Sequence, residues 1–196
     1  LWIVPDEQDT KRLKTIMRTR QGERHNFPSS YPTFQPHVTL ASFPSTSTPP
    51  TSDIRAAIDS ALGQSRGNLP IKFKSVDIGT HFYRSVYIAI TLTPELLALH
   101  GNVHAKLGIE PKTPAYPHVS LCYIDDADAA ERERFLEELK KGGKIRYDGG
   151  TEGVSLRCGE GEDWVWLREF RAREIWVANC DGPVESWTVL DKIPIA

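Results

Sequence analysis

Apolar residues recur along this chain with two spacings, every second position and every third to fourth, and the switches between them mark out its elements. Leu1 to Val4 reads as an opening strand, and Leu13, Ile16 and Met17 then share one face of a helix from about Asp6 to Thr19. Arg20 to Pro36 reads as a loop. Ser45 to Ser52 is rich in Ser, Thr and Pro, a flexible connection before a short helix with Ile54, Ala57, Ile58, Ala61 and Leu62, ending at Gly63 or Gly67. Ile71 to Ile78 and Ser85 to Leu92 alternate as strands joined near Gly79-Thr80, and Pro94 to Leu107 returns to helical spacing. Asp128 is placed to cap a helix whose Phe135, Leu136 and Leu139 face inward, with Lys140 and Lys141 near its C-terminal dipole and Gly142-Gly143 after it. Past a hinge at Gly149-Gly150, Val154 to Cys158, Trp164 to Phe170, Glu174 to Asn179 and Trp187 to Ile193 read as strands. Helices and strands mingle without regular alternation, which predicts an α+β fold with antiparallel pairing in a single unit spanning residues 1–196.

Within this pattern one phrase is written twice, as Pro36-His37-Val38-Thr39-Leu40 and Pro117-His118-Val119-Ser120-Leu121. A bare His-x-Ser/Thr carries little information in a chain with six histidines. A second copy of the whole phrase has a chance probability on the order of 10⁻⁴, so internal duplication explains it better. Both copies read as strands, which places His37 with Thr39 on one face and His118 with Ser120 on one face, backed by Val and Leu. Two such strands brought together would surround one small volume with two imidazoles and two hydroxyls, a setting suited to a tetrahedral oxyanion.

Bulk properties narrow the partners. A formal charge of -2 argues against a protein that tracks long nucleic acid and favours a small anionic substrate. No apolar stretch is long enough to cross a bilayer, and Leu1 to Asp6 lacks the features of a secretory signal. The three cysteines, Cys122, Cys158 and Cys180, form no CxxC pair, which favours a reducing compartment and a cytoplasmic location.

The paired motifs resemble those of the 2H phosphoesterase superfamily, and the fungal cyclic phosphodiesterases within it. The likeness extends through Leu1-Trp2, Phe34-x-Pro36-His37-Val38-Thr39, Pro117-His118-x-Ser120-Leu121-x-Tyr123 and the closing run Trp176-Val177-x-Asn179-Cys180-x-Gly182-Pro183-Val184-x-x-Trp187-x-Val189-Leu190. The resemblance implies a bilobal fold of two antiparallel sheets with outer helices related by a pseudo-twofold axis, one motif from each lobe, and no metal or other cofactor. It implies action on small cyclic-phosphate nucleotides: nucleoside 2′,3′-cyclic phosphates opened to 2′-phosphates, and ADP-ribose 1″,2″-cyclic phosphate, a by-product of tRNA splicing, opened to ADP-ribose 1″-phosphate; the chain itself is expected to be a monomer. In that reading His118 activates water, His37 protonates the leaving oxygen, and Thr39 and Ser120 bind nonbridging oxygens. The resemblance also places Tyr123 in the cleft, although Ser120 and Tyr123 differ by an odd step, so a bulge or strand end is required. Competing readings are hydrolysis or 2′-5′ ligation at RNA ends, and a noncatalytic nucleotide-binding module.

Other features carry weaker signals. His100 and His104 stand four apart on a helix, but no carboxylate motif accompanies them, which favours packing over metal binding. His25 reads as loop surface, and His81 lies at a turn where it can approach a ligand, beside Tyr83, which can stack on a base. Trp2, Trp164, Trp166, Trp176 and Trp187 read as core residues. Gly159-x-Gly161 lacks the rest of a phosphate loop, and Asp125-Asp126-Ala127-Asp128 lacks the Gly and Glu of a calcium loop, so helix capping explains it better.

Overall fold

The elements follow from local signals that the computed structural model resolves in detail for residues 1–23, 25, 27–63, 66–67, 69–111, 116–147, 149 and 153–195. Strand β1 (Trp2–Pro5) leads into helix α1 (Glu7–Met17), where the Asp6 side chain accepts from the Asp9 amide and Leu13, Ile16 and Met17 are buried. Then come β2 (Val38–Thr39), α2 (Thr51–Leu62), β3 (Pro70–His81), β4 (Arg84–Ile90), α3 (Pro94–Leu107) and β5 (His118–Cys122). Helix α4 (Ala129–Lys141) follows, and the chain ends in β6 (Ile145–Tyr147), β7 (Val154–Cys158), β8 (Val165–Leu167), β9 (Glu169–Asn179) and β10 (Thr188–Pro194). The Gly149-Gly150 hinge lies partly outside the described residues, since Gly150 is among those not described.

The fold is α+β, but the expected pair of separate sheets is not what forms. Hydrogen-bonded neighbours run β1-β2-β5-β4-β3-β9-β10, and β9 also pairs with β1, so the strands close into a barrel; β6, β7 and β8 make a separate small sheet. Closure depends on the length of β9. Its 11 residues, at about 3.3 Å each, are enough to pair with β3 through Phe170 and with β1 through Trp176. The sequence reads this strand as two because its buried phase slips, from Phe170 and Ala172 to Ile175 and Val177, at a register shift against Val4 and Pro5.

The β3–β4 turn also differs from expectation. It falls at Phe82-Tyr83, and Gly79 instead lies within β3, where an added Cβ would sit 1.8 Å from the Arg84 carbonyl oxygen. Glycine here permits a close backbone approach rather than a turn. Asp128 makes no side-chain cap to α4; its carboxylate takes Arg134, and Asp125 caps the preceding turn through the Ala127 amide.

Helix α1 packs on β1, β5 and β7, α4 packs on β3 and β4, and α2 lies against α3. Val38, Ile88, Val119 and Leu121 are fully buried and anchor the central strands from one face, leaving the alternate residues for the other. The long segment before β2 is tied down by a buried acid: Glu131 in α4, 4 % exposed in its side chain, pairs with Arg20 at 2.9 Å and accepts from the Tyr31 hydroxyl at 2.7 Å. The Tyr31 amide donates in turn to the Tyr123 carbonyl at 2.8 Å. Removing one member of such a buried set strands the others, so Glu131→Ala is expected to lower unfolding free energy by about 3–5 kcal/mol, and Glu131→Gln by less, as measured by urea denaturation.

Candidate active site

The two copies of the repeated phrase meet directly. Strand β2 pairs antiparallel with β5 at Val38↔Val119. One step outward in that register, His37 lies across from Ser120 and Thr39 across from His118, all four on the face opposite the buried valines. The two histidines are diagonal neighbours, a relation that puts Cα atoms about 7–8 Å apart. His37, Thr39, His118, Ser120 and Tyr123 all line one cavity of about 690 Å³.

Their surroundings differ. His37 is 7 % exposed, stacked on the Trp2 indole with centroids 4.1 Å apart, and its Nδ1 lies 2.6 Å from the Gln35 carbonyl. A carbonyl only accepts, so Nδ1 carries the proton and Nε2 is the nitrogen left for chemistry. Burial holds the His37 pKa down to about 4, with the nearby His118 adding to the effect, so this ring is neutral near pH 7. His118 is half-buried, with the Tyr87 ring edge-on at 5.3 Å. Ser120 Oγ donates to the Tyr83 carbonyl at 2.9 Å.

Tyr123 reaches the cavity by the device its odd spacing requires. Val86 faces Cys122 while Tyr87 faces Ser120, so Leu121 is an extra residue in β5, and the strand ends at Cys122. Beyond it the Ile124 amide donates to the buried Ser85 Oγ at 2.9 Å, and the Tyr123 ring stacks on Phe34 at 3.9 Å. Burial pushes the Tyr123 phenol above its usual range, so it stays protonated.

Beyond the doubled phrase, residues 1–195 match the family described as Cyclic phosphodiesterase-like protein. The chain belongs to that family. It is thus a cyclic phosphodiesterase, a hydrolase. A cyclic phosphodiesterase of Arabidopsis thaliana is 27% identical over 157 residues, covering 80% of this chain and 78% of that protein. A 2′,3′-cyclic-nucleotide 3′-phosphodiesterase of Yarrowia lipolytica is 25% identical over an alignment of 230 positions, covering 97% of this chain and 96% of that protein.

Around this cavity, sequence patterning misplaced some residues and passed over others. Trp2 and Trp187 do not serve only as core: both line the cavity, with ring centroids 5.8 Å apart, and Trp187 stacks on Tyr83 at 5.9 Å. His81 lines it too, as does Arg84, to which no motif pointed. A strand's alternation says that Trp2 and Val4 share a face, not which face meets the cavity. His100 and His104 pack together with centroids 4.1 Å apart, and among the described residues no three metal-ligating side chains form a group. His25 is tied in rather than loose at the surface, its Nε2 2.9 Å from the Arg20 carbonyl. Cys122 and Cys158 are buried and Cys180 exposed, all three unbridged, and no helix among the described residues is long and apolar enough to cross a membrane.

The depressed His37 pKa makes a stability prediction. Between about 4 and the ordinary 6.5 the unfolded chain holds a proton that folded His37 refuses, so stability falls as pH drops through that window and is independent of this group above it. At about 1.4 kcal/mol per pH unit the loss reaches about 3 kcal/mol. Urea unfolding across pH should show this slope in the wild type and lose it in His37→Gln, and Trp2→Ala should raise the His37 midpoint in an NMR titration.

Proposed function

We propose that this cyclic phosphodiesterase opens nucleoside 2′,3′-cyclic phosphates to 2′-phosphates, and ADP-ribose 1″,2″-cyclic phosphate to ADP-ribose 1″-phosphate, as a metal-independent cytoplasmic monomer handling by-products of tRNA splicing. Residues 1–196 act as one catalytic unit, each half contributing one motif. The observation that carries this reading is the Val38↔Val119 pairing, which sets two imidazoles and two hydroxyls around one volume.

In-line hydrolysis forms a bond from water oxygen to phosphorus and breaks the bond from phosphorus to the ribose 3′ oxygen. A proton must leave the water on one flank and another must reach the departing oxygen on the opposite flank. His37 and His118 supply both transfers, Thr39 and Ser120 donate to the nonbridging oxygens, and Tyr123 contacts the nucleoside. Ser120 does so by turning its hydroxyl from the Tyr83 carbonyl toward the phosphate. The family resemblance makes His118 the base and His37 the acid, whereas a buried His37 that is neutral near pH 7 favours the reverse. Either assignment gives the same bell-shaped pH profile for kcat/KM, because the profile reports the pair.

Incubation with each 2′,3′-cyclic nucleotide and with ADP-ribose 1″,2″-cyclic phosphate, in EDTA, is expected to yield the 2′- and 1″-phosphates. Binding without product would leave only a nucleotide-binding module, and loss of turnover in EDTA would remove metal independence. His37→Ala and His118→Ala should each lower the rate by about 10² or more while the fold survives. The roles separate with an activated leaving group: such a substrate needs no acid, so its hydrolysis tolerates loss of the acid histidine and not of the base.

A further inference from the structure

The motif residues bring no permanent positive charge to the cavity. A cyclic phosphodiester is an anion, yet Thr39 and Ser120 are neutral and His37 is held neutral near pH 7 by burial. Among the described residues that line the cavity, Arg84 supplies the one lysine or arginine side chain.

Arg84 opens β4, immediately after Tyr83, whose carbonyl receives the Ser120 hydroxyl, so its backbone is fixed next to the second motif. Gly79 holds that position from behind, since any Cβ there would collide with the Arg84 carbonyl. The guanidinium lies over the Tyr87 ring at 5.8 Å, and Tyr87 in turn meets the His118 ring. Arg84 Nε is buried without a hydrogen-bond partner, and no carboxylate of the described residues pairs with the guanidinium. A partly desolvated cation left in this state is costly unless an anion completes it. Its planar fork matches a phosphate's paired oxygens.

We infer that Arg84 is the anion-binding residue of this cleft, pairing with nonbridging oxygens of the bound cyclic phosphate and, more tightly, with the doubly charged monoester product. The inference rests on the proposed phosphodiesterase reaction for its kinetic test, but its binding test does not. Inorganic phosphate should raise the melting temperature of the wild type and inhibit it competitively, both effects weakening as salt rises. In Arg84→Gln, KM and the phosphate inhibition constant should both rise by about tenfold or more, with kcat changed much less. Arg84→Lys, which keeps the charge and loses the fork, should fall between the two and serves if the Gln variant does not fold.

Unchanged KM and phosphate inhibition in a folded Arg84→Gln or Arg84→Lys protein would overturn the assignment, as would a loss confined to kcat. A wild type that binds phosphate through Arg84 but opens no cyclic phosphate would sink the proposed reaction and leave the anion site standing.

Discussion

Everything about the cleft depends on a single point of strand register, Val38 opposite Val119. Side chains alternate with a period of two, so a slip of one residue in β2 would turn His37 and Thr39 into the core and Val38 and Leu40 out of it. The strand that bears this demand is only Val38–Thr39 long, and it is held from both sides, by β5 and by β1 through Trp2↔Thr39 and Ile3↔Val38. The Leu40 amide adds a bond to the Leu1 carbonyl at 2.8 Å. Val38 and Leu40 are fully buried, and burial of each contributes about 1.5–3 kcal/mol that the slipped register would forfeit. The same apolar residues that stabilise the barrel therefore aim the polar ones.

An antiparallel pair has a local twofold axis between its strands, and the duplicated phrase lies across it, one copy on each side. That explains why so much of the site was legible in the sequence. Both histidines, both hydroxyls and the face they share follow from alternation and from the repeat itself. What was not legible came from departures from regular pairing. The phase slip in β9 and the register shift around Gly79 each displace the pairing by a step that a period-two reading cannot follow, whereas the extra residue at Leu121 is the bulge that the odd Ser120-to-Tyr123 spacing calls for. Arg84 escaped notice because it belongs to no motif, and Trp2 read as core because alternation along a strand does not say which face meets the cavity. The barrel itself was hidden by the slip in β9, which made one closing strand look like two.

Burial and charge pull against each other in this cleft. Trp2, Phe34 and Tyr123 cover the imidazole and hydroxyl of the motifs with aromatic surface, which lowers the local dielectric and strengthens every hydrogen bond that a phosphate would accept there. The same cover penalises a cationic His37, so the cavity is poorer in positive charge near neutrality than its histidine content suggests. In the proposed reaction a permanent guanidinium on the wall and titratable rings at the centre would divide the work between holding an anion and moving protons.

A symmetric motif cannot by itself make one histidine an acid and the other a base, so the distinction has to come from what each copy packs against. The first copy is held by β1: Trp2 stacks on His37, and the Gln35 carbonyl fixes its tautomer. The second is held by the β3–β4 hairpin, where Ser120 bonds the Tyr83 carbonyl and Ser85 joins the Phe82 carbonyl to the Ile124 amide. One imidazole is therefore sealed under an indole, while the other stands edge-on to a tyrosine beside a guanidinium. Two nearly identical phrases meet different surroundings because different strands flank them, and that difference in packing is what would let a duplicated sequence perform the unsymmetrical reaction proposed.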